Sequence, residues 1–97
     1  MLRKSEAAIN DLYEVWLRIA IENRRAADEI LDKIEKTLFL IGENPFMGRE
    51  YVGKTQFENL RIFPASGYLI FYSPRDYGAY IQRVIHGAMD IDAKLNP

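Results

Sequence analysis

Leu60–Asp90, with the sequence LRIFPASGYLIFYSPRDYGAYIQRVIHGAMD, decides the fold of this chain. Two apolar runs, Tyr68–Tyr72 and Ala79–His86, are separated by the turn-like segment Pro74–Gly78, and the shorter run Leu60–Phe63 precedes them. Runs of β-branched and aromatic residues bounded by Gly, Pro, Ser and Asp are typical of antiparallel strands. Because the run Tyr68–Tyr72 has no polar position, we expect it to be central in the sheet and covered on both faces.

Two amphipathic helices are predicted upstream of these strands. Ser5 is a suitable N-cap for a first helix that ends near Glu22, and Asn23 can close that helix or cap the next. Apolar residues at helical spacing predict the second helix over Arg24–Ile41, with Gly42 as its stop. So short a connection makes the two helices an antiparallel αα-hairpin.

These elements predict an α+β fold in a single domain of residues 1–97, with the helical hairpin packed on one face of a small antiparallel sheet. Met1–Lys4 leaves room for a brief N-terminal edge strand. We expect the opposite sheet face to be uncovered, and a face that carries Tyr, Phe and Arg resembles a protein interface. The long connection Gly42–Asn59 is either functional or a lid over the edge of the core. The apolar residues of such a lid are Phe46, Met47, Tyr51 and Val52.

Composition narrows the classes of function. The 13 basic and 14 acidic residues give a net charge of −1, without the basic excess of a dedicated nucleic-acid binder. The absence of cysteine excludes a disulfide framework and a thiolate zinc site. The sequence has neither a signal-peptide pattern nor an apolar run near the ~20 residues of a membrane span. We therefore expect a soluble, cytoplasmic protein that does not bind membranes.

Candidate catalytic groups are few. His86 is the only histidine, and a single histidine at the end of an apolar strand is more often a structural residue than a base, so we expect no catalytic residue, metal or cofactor. Arg61 and Arg83 interrupt apolar strands, where a buried charge is unfavourable unless it is paired. Either each arginine faces a partner, or each pairs with a carboxylate. The carboxylate candidates are Glu58 for Arg61 and Asp90 for Arg83.

Five segments occur in a characteristic order along nearly the whole chain. They are Ala8…Asp11-Leu12, Pro45-x-x-Gly48-Arg49, Leu60-Arg61, Gly67-Tyr68-Leu69-Ile70-Phe71-Tyr72 and Arg83-Val84-Ile85-His86-Gly87-Ala88-x-Asp90. Together they resemble the ParE branch of the RelE/ParE toxin superfamily. The closing segment, RVIHGAMD, is the most specific of the five.

The resemblance implies a plasmid-stabilisation type of toxin from a type II toxin–antitoxin module, one that binds DNA gyrase without being an enzyme. It further implies a toxin–antitoxin hetero-oligomer with a ParD-like antitoxin and no sequence-specific nucleic-acid binding. We expect the antitoxin to place apolar and acidic residues in the groove between the helical hairpin and the sheet edge, as an added strand or a helix. The expected partner-facing residues are Tyr51, Arg61, Phe63, Arg75, Tyr80, Arg83 and His86.

RelE-type relatives on the same scaffold instead cut messenger RNA in the ribosome, using basic side chains and a tyrosine near the C-terminus. RNA cleavage requires cations to stabilise the phosphate and a group that moves the 2′-OH proton. In the alignment that the resemblance implies, the positions of those basic side chains and of the tyrosine hold residues that can neither stabilise a phosphate nor move the proton. These residues are Phe57, Asn59, Leu69, Met89 and Leu95. Ribonuclease activity is therefore disfavoured, and it is kept as the alternative together with an inactive member that only binds an antitoxin.

Overall fold

The structure is a computed structural model that describes residues 1–96, so Pro97, the last residue of the expected domain, lies outside the description. The elements are β1 (Leu2–Lys4), α1 (Glu6–Ala20), α2 (Arg24–Glu43), β2 (Arg49–Glu50), β3 (Arg61–Ala65), β4 (Tyr68–Arg75), β5 (Gly78–His86) and α3 (Ile91–Leu95). The strands form one sheet in the order β1-β5-β4-β3-β2. The predicted α+β class, helical hairpin and N-terminal strand are confirmed. However, β1 pairs with β5 in parallel, so the sheet is mixed rather than purely antiparallel.

The helix starts follow the local sequence, whereas one predicted stop is wrong. The Ser5 hydroxyl accepts a first-turn N–H of α1 at 2.9 Å, and the Asn23 side chain accepts one of α2 at 3.0 Å. Gly42 does not end α2, which continues to Glu43. A Cβ atom at Gly42 would lie 3.0 Å from the carbonyl oxygen of Met1. This glycine therefore permits the close approach of the N-terminal segment to the helix.

The strand β4 lies at the centre of the sheet and is covered on both faces, as predicted. On the helix face, α1 and α2 pack against a buried cluster, the helix-side core. Its largest side chains are Leu12, Ile34, Leu38, Ile41, Tyr68, Ile70, Tyr72 and Ile81. On the loop face lies a second buried cluster, the loop-side core, which consists of Leu60, Ile62, Phe71, Ile85 and Leu95.

The expectation that the second face is uncovered is therefore wrong. Tyr51 and Phe57 of the long connection and Ile91 of α3 pack against the loop-side core, and Leu95 is part of it. No covering role was predicted for α3, because its five residues are too few to show helical periodicity. Of the four residues predicted to form a lid, only Tyr51 packs inward. The prediction is wrong for the other three, which are exposed, namely Phe46, Met47 and Val52.

A bulge between β4 and β5 decides which face Arg83 occupies. Phe71 lies opposite Arg83 and Tyr72 lies opposite Ile81, so Gln82 is an extra residue in β5. Arg83 consequently shares the loop face with Phe71, although Ile81 lies on the helix face. The β3–β4 turn is made by Ser66 and Gly67, both with positive φ, as in a two-residue hairpin.

Within residues 1–96, no helix combines the length and the apolar character needed to cross a bilayer.

Candidate partner-binding site

Most of the expected partner-facing residues line one of two grooves. The first, the helix–sheet cleft, has a volume of about 280 Å³ and lies between α1 and the end of β5. Its charged and polar lining includes Asp11, Glu14, Arg18, Arg83, His86 and Lys94. The second, the loop groove, has a volume of about 880 Å³ and lies between the long connection and the β3–β4 strands. Its lining includes Phe46, Tyr51, Phe57, Arg61, Arg75 and Asp76.

In the helix–sheet cleft, Arg83 is tied to α1 by a bidentate ion pair with Asp11. The Nε–Oδ2 and Nη2–Oδ1 distances are 2.7 and 2.9 Å, and both side chains are largely buried. Arg83 Nη1 also donates to the carbonyl of Lys94, which joins α3 to the same network. The hydrogen bond with Asp11 raises the pKa of Arg83 above its ordinary value, so the arginine stays charged. Arg83 therefore holds three elements together.

The predicted pairing of Arg83 with Asp90 is wrong. The Asp90 carboxylate caps α3 instead, where it accepts the Ala93 N–H at 3.3 Å. Sequence proximity favoured Asp90, whereas the true partner, Asp11, is 72 residues away and comes close only when α1 packs on the sheet. The only sequence signal for Asp11 was its place in the first segment of the family resemblance.

The Asp11 carboxylate also binds the part of the β5 edge that lacks a neighbouring strand. Within the described residues 1–96, β5 has no neighbouring strand on its outer side beyond Ile81, because β1 pairs only as far as that residue. There the Ser5 hydroxyl donates to the Gln82 carbonyl at 2.7 Å, and the Val84 N–H donates to Asp11 at 2.9 Å. These backbone groups are thus already satisfied by α1 and its cap, which disfavours the addition of a strand at this position.

His86, the other expected residue in this cleft, is oriented by local contacts. Its Nδ1 accepts the Ala88 N–H at 3.1 Å, and its ring meets Tyr68 edge to face at a centroid distance of 5.1 Å. Both contacts correspond to the structural interpretation of a single histidine at a strand end. Its ring nonetheless lines the cleft and is available to a partner.

In the loop groove, Arg61 holds the start of the long connection. Its Nη1 donates to the Gly48 carbonyl at 2.6 Å, and its guanidinium lies 5.1 Å from the centroid of the Phe46 ring. The predicted partner Glu58 is wrong, since the carboxylate nearest to Arg61 is that of Glu50, at 3.8 Å. The pairing of β2 with β3 brings this part of the connection beside Arg61, which sequence spacing did not indicate.

Gly48 is a second anchor of the connection, and it was not predicted. Its N–H donates to the hydroxyl of the fully buried Tyr72 at 2.9 Å. A Cβ atom at Gly48 would lie only 2.6 Å from that hydroxyl oxygen, so the site accepts glycine alone without rearrangement. Burial raises the pKa of Tyr72, although the Gly48 hydrogen bond and the Arg61 charge act in the opposite direction. The signal that could have identified Gly48 is the segment Pro45-x-x-Gly48-Arg49.

The remaining expected residues differ in accessibility. Tyr51 meets Phe71 edge to face at 5.6 Å, and burial, followed by the charge of Asp92, raises the pKa of its hydroxyl. Arg75 is exposed at the edge of the loop groove, with its guanidinium 5.7 Å from the Tyr80 ring centroid. Phe63 packs against the helix-side core instead, away from both groups.

In the part of the chain that the structure describes, histidine and acidic side chains form no group of three or more that could coordinate an ion.

Comparison with known proteins links this architecture to one family. The family model described as "ParE toxin of type II toxin-antitoxin system, parDE" matches residues 2–91. The chain is also similar in fold to a solved structure titled "Chromosomal ParDE TA system from P. aeruginosa", with a TM-score of 0.70 and 13% sequence identity. That alignment covers 88% of this chain and 92% of the other. Among curated proteins, none is similar enough in sequence to count as a match.

Proposed function

Because the chain belongs to the ParE toxin family of type II toxin–antitoxin systems, we propose that it inhibits DNA gyrase by protein–protein binding and is neutralised by a ParD-like antitoxin. Its site of action is the cytoplasm, where gyrase works. The toxin is not an enzyme in this proposal. The gyrase-binding surface is the loop groove, and the antitoxin binds at the helix–sheet cleft.

The observation that carries the proposal is the set of arginine and aromatic side chains in and beside the loop groove. Arg61 is held by backbone carbonyls of the connection, while Arg75, at the edge of the groove, lies over the ring of the neighbouring Tyr80. Arginine, tyrosine and other aromatic residues are enriched among the contacts that dominate protein–protein binding. Side chains that are already ordered also lose less conformational entropy when a partner binds. The groove is therefore better suited to binding a protein surface than to catalysing a reaction.

The residues that replace the cations and the tyrosine of RNA-cutting relatives support the same conclusion. Leu95 is buried in the loop-side core, and Phe57 and Leu69 pack against that cluster. These positions thus contribute to stability, and none of the three side chains can stabilise a phosphate or transfer a proton. Arg61 and His86, which lie in different grooves, do not together form a nuclease site.

The antitoxin is proposed to contact the helix–sheet cleft through side chains, as a helix. Asp11 and Ser5 already occupy hydrogen-bonding groups of the adjacent β5 edge, so an added strand would have to displace them. The cleft carries both signs of charge, with Glu14 beside Arg18 and Arg83. An antitoxin helix with acidic residues opposite Arg18 and His86 fits the accessible part of this lining.

The test is a gyrase supercoiling assay with full-length toxin released from its antitoxin complex and refolded. We expect inhibition by the wild-type protein. The variants Arg75→Ala and Tyr80→Ala should raise the inhibitory concentration roughly tenfold, the effect of losing about 1.4 kcal/mol at a binding hot spot. Lys33→Ala, at an exposed lysine on α2, is the matched control and should inhibit like wild type.

Three other outcomes would redirect the proposal. A chain that arrests growth but neither inhibits gyrase nor traps its cleavage complex has another target. Transcript cutting detected by primer extension would establish the ribonuclease alternative. A chain that is harmless when expressed without the antitoxin gene, yet binds the antitoxin, would be an inactive family member.

A further inference from the structure

The short helix α3 is attached to the long connection at several points. Leu95 is 1% exposed and forms part of the loop-side core, against which Tyr51 of the connection also packs. The Asn96 side chain donates to the Lys54 carbonyl, in the middle of the connection, at 3.0 Å. Burial, followed by the charge of Asp92, raises the pKa of the Tyr51 hydroxyl, so this α3 carboxylate also lies beside the connection. The position of the connection therefore depends on where α3 is docked.

The same helix reaches the helix–sheet cleft on its other side. Lys94 and Arg83 both line that cleft, and the Arg83 guanidinium donates to the backbone carbonyl of Lys94. Asp11 of α1 binds the same guanidinium, 19% of the Arg83 side chain remaining exposed. Tyr51, in contrast, lines the loop groove. One five-residue helix thus contacts residues that line both grooves.

The length of α3 gives it two states, docked and unfolded. Isolated helices shorter than about 12 residues are marginal in water, so α3 remains helical only while its tertiary contacts hold it. Undocking removes Leu95 from the core and breaks the hydrogen bonds of Asn96 with Lys54 and of Arg83 with Lys94 together. A short segment of this kind opens locally, without unfolding of the domain. A ligand that interacts differently with the two states shifts their populations.

We propose that α3 is a latch that couples the two grooves, a mechanism that rests on the function proposed above. Docked α3 holds the connection in the position that forms the loop groove and favours gyrase binding. An acidic side chain of the antitoxin, inserted in the helix–sheet cleft, competes with the neutral Lys94 carbonyl for Arg83, because an ionised acceptor binds a guanidinium more strongly. Undocking of α3 then weakens gyrase binding although the loop groove is not covered.

Hydrogen exchange followed by NMR on the free full-length chain tests the latch without gyrase or antitoxin. The reporter is the Tyr51 N–H, which donates to the Leu60 carbonyl at 2.9 Å. The reference is the Ser5 N–H, which donates to the Ile81 carbonyl near the opposite edge of the sheet. Leu95→Asp undocks α3, so exchange should become about tenfold faster at Tyr51 and change less than about twofold at Ser5.

Arg83→Lys isolates the contact that lies at the cleft. A lysine keeps the charge opposite Asp11 but lacks the guanidinium fork that donates to Asp11 and Lys94 at once. Exchange at Tyr51 should become several-fold faster, although no residue of the connection is changed. Ile34→Val weakens the helix-side core and is the matched control, which should leave the ratio of the two exchange rates unchanged. A ratio unchanged by either Leu95→Asp or Arg83→Lys would overturn the latch.

The purified toxin–antitoxin complex tests whether a ligand in the cleft releases α3. The Tyr51 amide should exchange several-fold faster in the complex than in the free chain. Slower exchange would mean that the antitoxin covers the connection, and an unchanged rate would mean that α3 stays docked, so either result overturns the coupling.

Supercoiling assays separate the coupling from the proposed function. We expect Leu95→Asp and Arg83→Lys to raise the concentration that inhibits gyrase at least fivefold, whereas Ile34→Val should inhibit like wild type. Equal inhibition by all four proteins, despite faster exchange at Tyr51, would overturn the coupling. A wild-type chain without effect on gyrase would remove the proposed function alone, because the exchange measurements on the free chain and on the complex still decide whether α3 links the grooves.

Discussion

The two faces of the central sheet are covered in different ways, although both bury large side chains completely. The helix face is covered by α1 and α2, which have 15 and 20 residues, side-chain caps and continuous apolar stripes. The loop face is covered by an irregular connection and the five-residue α3. That cover is held by a few specific contacts, such as those of Tyr51 with Phe71 and of Arg83 with Lys94.

This difference indicates where the molecule opens most easily. A cover made of long helices unfolds only when the domain unfolds, whereas a short helix and a connection can detach in local openings of lower free energy. The loop groove, the proposed gyrase-binding surface, is built partly from that less stable cover. We therefore expect the loop face to adjust to a partner while the helix face keeps the fold.

The largest expected effect is a difference in the free energy of unfolding between variants of two fully buried leucines, one from each face. Leu38→Ala, on α2, should lower the free energy of unfolding by about 3–4 kcal/mol, since it leaves a cavity in the helix-side core. Leu95→Ala, on α3, should lower it by only about 1–2 kcal/mol, because α3 can detach before the domain unfolds. Urea denaturation gives both values. Equal losses would mean that α3 is as firmly held as α2 and would remove the distinction between the faces.

The next effect concerns the ion pair that links the two faces. Asp11→Ala should destabilise the protein by about 3 kcal/mol, because it leaves the largely buried Arg83 charge and the Val84 N–H without their partner. Glu50→Ala is the control, since its carboxylate is 81% exposed beside Arg61 and should cost under about 1 kcal/mol. If Arg83→Met in the Asp11→Ala background recovers no stability, the loss does not come from the unpaired charge.

A smaller effect is expected at the anchor of the connection. Gly48→Ala should cost about 2 kcal/mol, because the new methyl group must displace the buried Tyr72 hydroxyl or the connection itself. Gly87→Ala, at an exposed glycine where the new Cβ would lie 3.3 Å from the Gly67 carbonyl oxygen, is the milder comparison and should cost about 1 kcal/mol or less. Thermal melts of the two variants measure the difference. A Gly48→Ala protein as stable as the Gly87→Ala protein would show that the connection shifts freely.

The smallest expected effect is a loss of stability at alkaline pH. Burial holds the pKa of Tyr72 above 10.0, its ordinary value, so above pH 10 the unfolded chain loses this proton before the folded one does. The unfolded state then binds fewer protons, and the free energy of unfolding falls as pH rises, by at most about 1.4 kcal/mol per pH unit for this group. Below pH 10 the contribution is fully present.

Urea denaturation between pH 9 and 11.5 measures that slope. Tyr72→Phe should be less stable than wild type at pH 8, because it loses the hydrogen bond from Gly48, yet its stability should fall less steeply above pH 10. Parallel pH profiles for the two proteins would assign the alkaline instability to other groups.

Local signals predicted the elements well. Ser5 and Asn23 cap the two helices as expected, and the uninterrupted apolar run at Tyr68–Tyr72 is the central, doubly covered strand. The prediction that Gly42 ends α2 was wrong. The sequence alone does not distinguish a glycine that ends a helix from one that allows a neighbouring segment to approach the helix closely. The covering role of Leu95 was missed because five residues are too few for a periodic pattern.

The candidate site was predicted in its residue types but not in its arrangement. Arg61 and Arg83 were predicted to be either paired or partner-facing, and the candidate carboxylates, Glu58 and Asp90, were both close in sequence. The structure pairs Arg83 with Asp11 and holds Arg61 chiefly by backbone carbonyls. Sequence reasoning can recognise that a buried charge needs a partner, but the identity of the partner depends on which elements pack together.

The sequence by itself determined the helices, the three long strands and the family, because caps, turn residues and apolar periodicity act over a few residues at a time. Only the tertiary structure decided that the second sheet face is closed, that Arg83 and Arg61 lie in separate grooves, and that α3 contacts both Arg83 and the long connection. Each of these depends on contacts between residues distant in the chain, whose geometry follows from how the elements pack rather than from local preference.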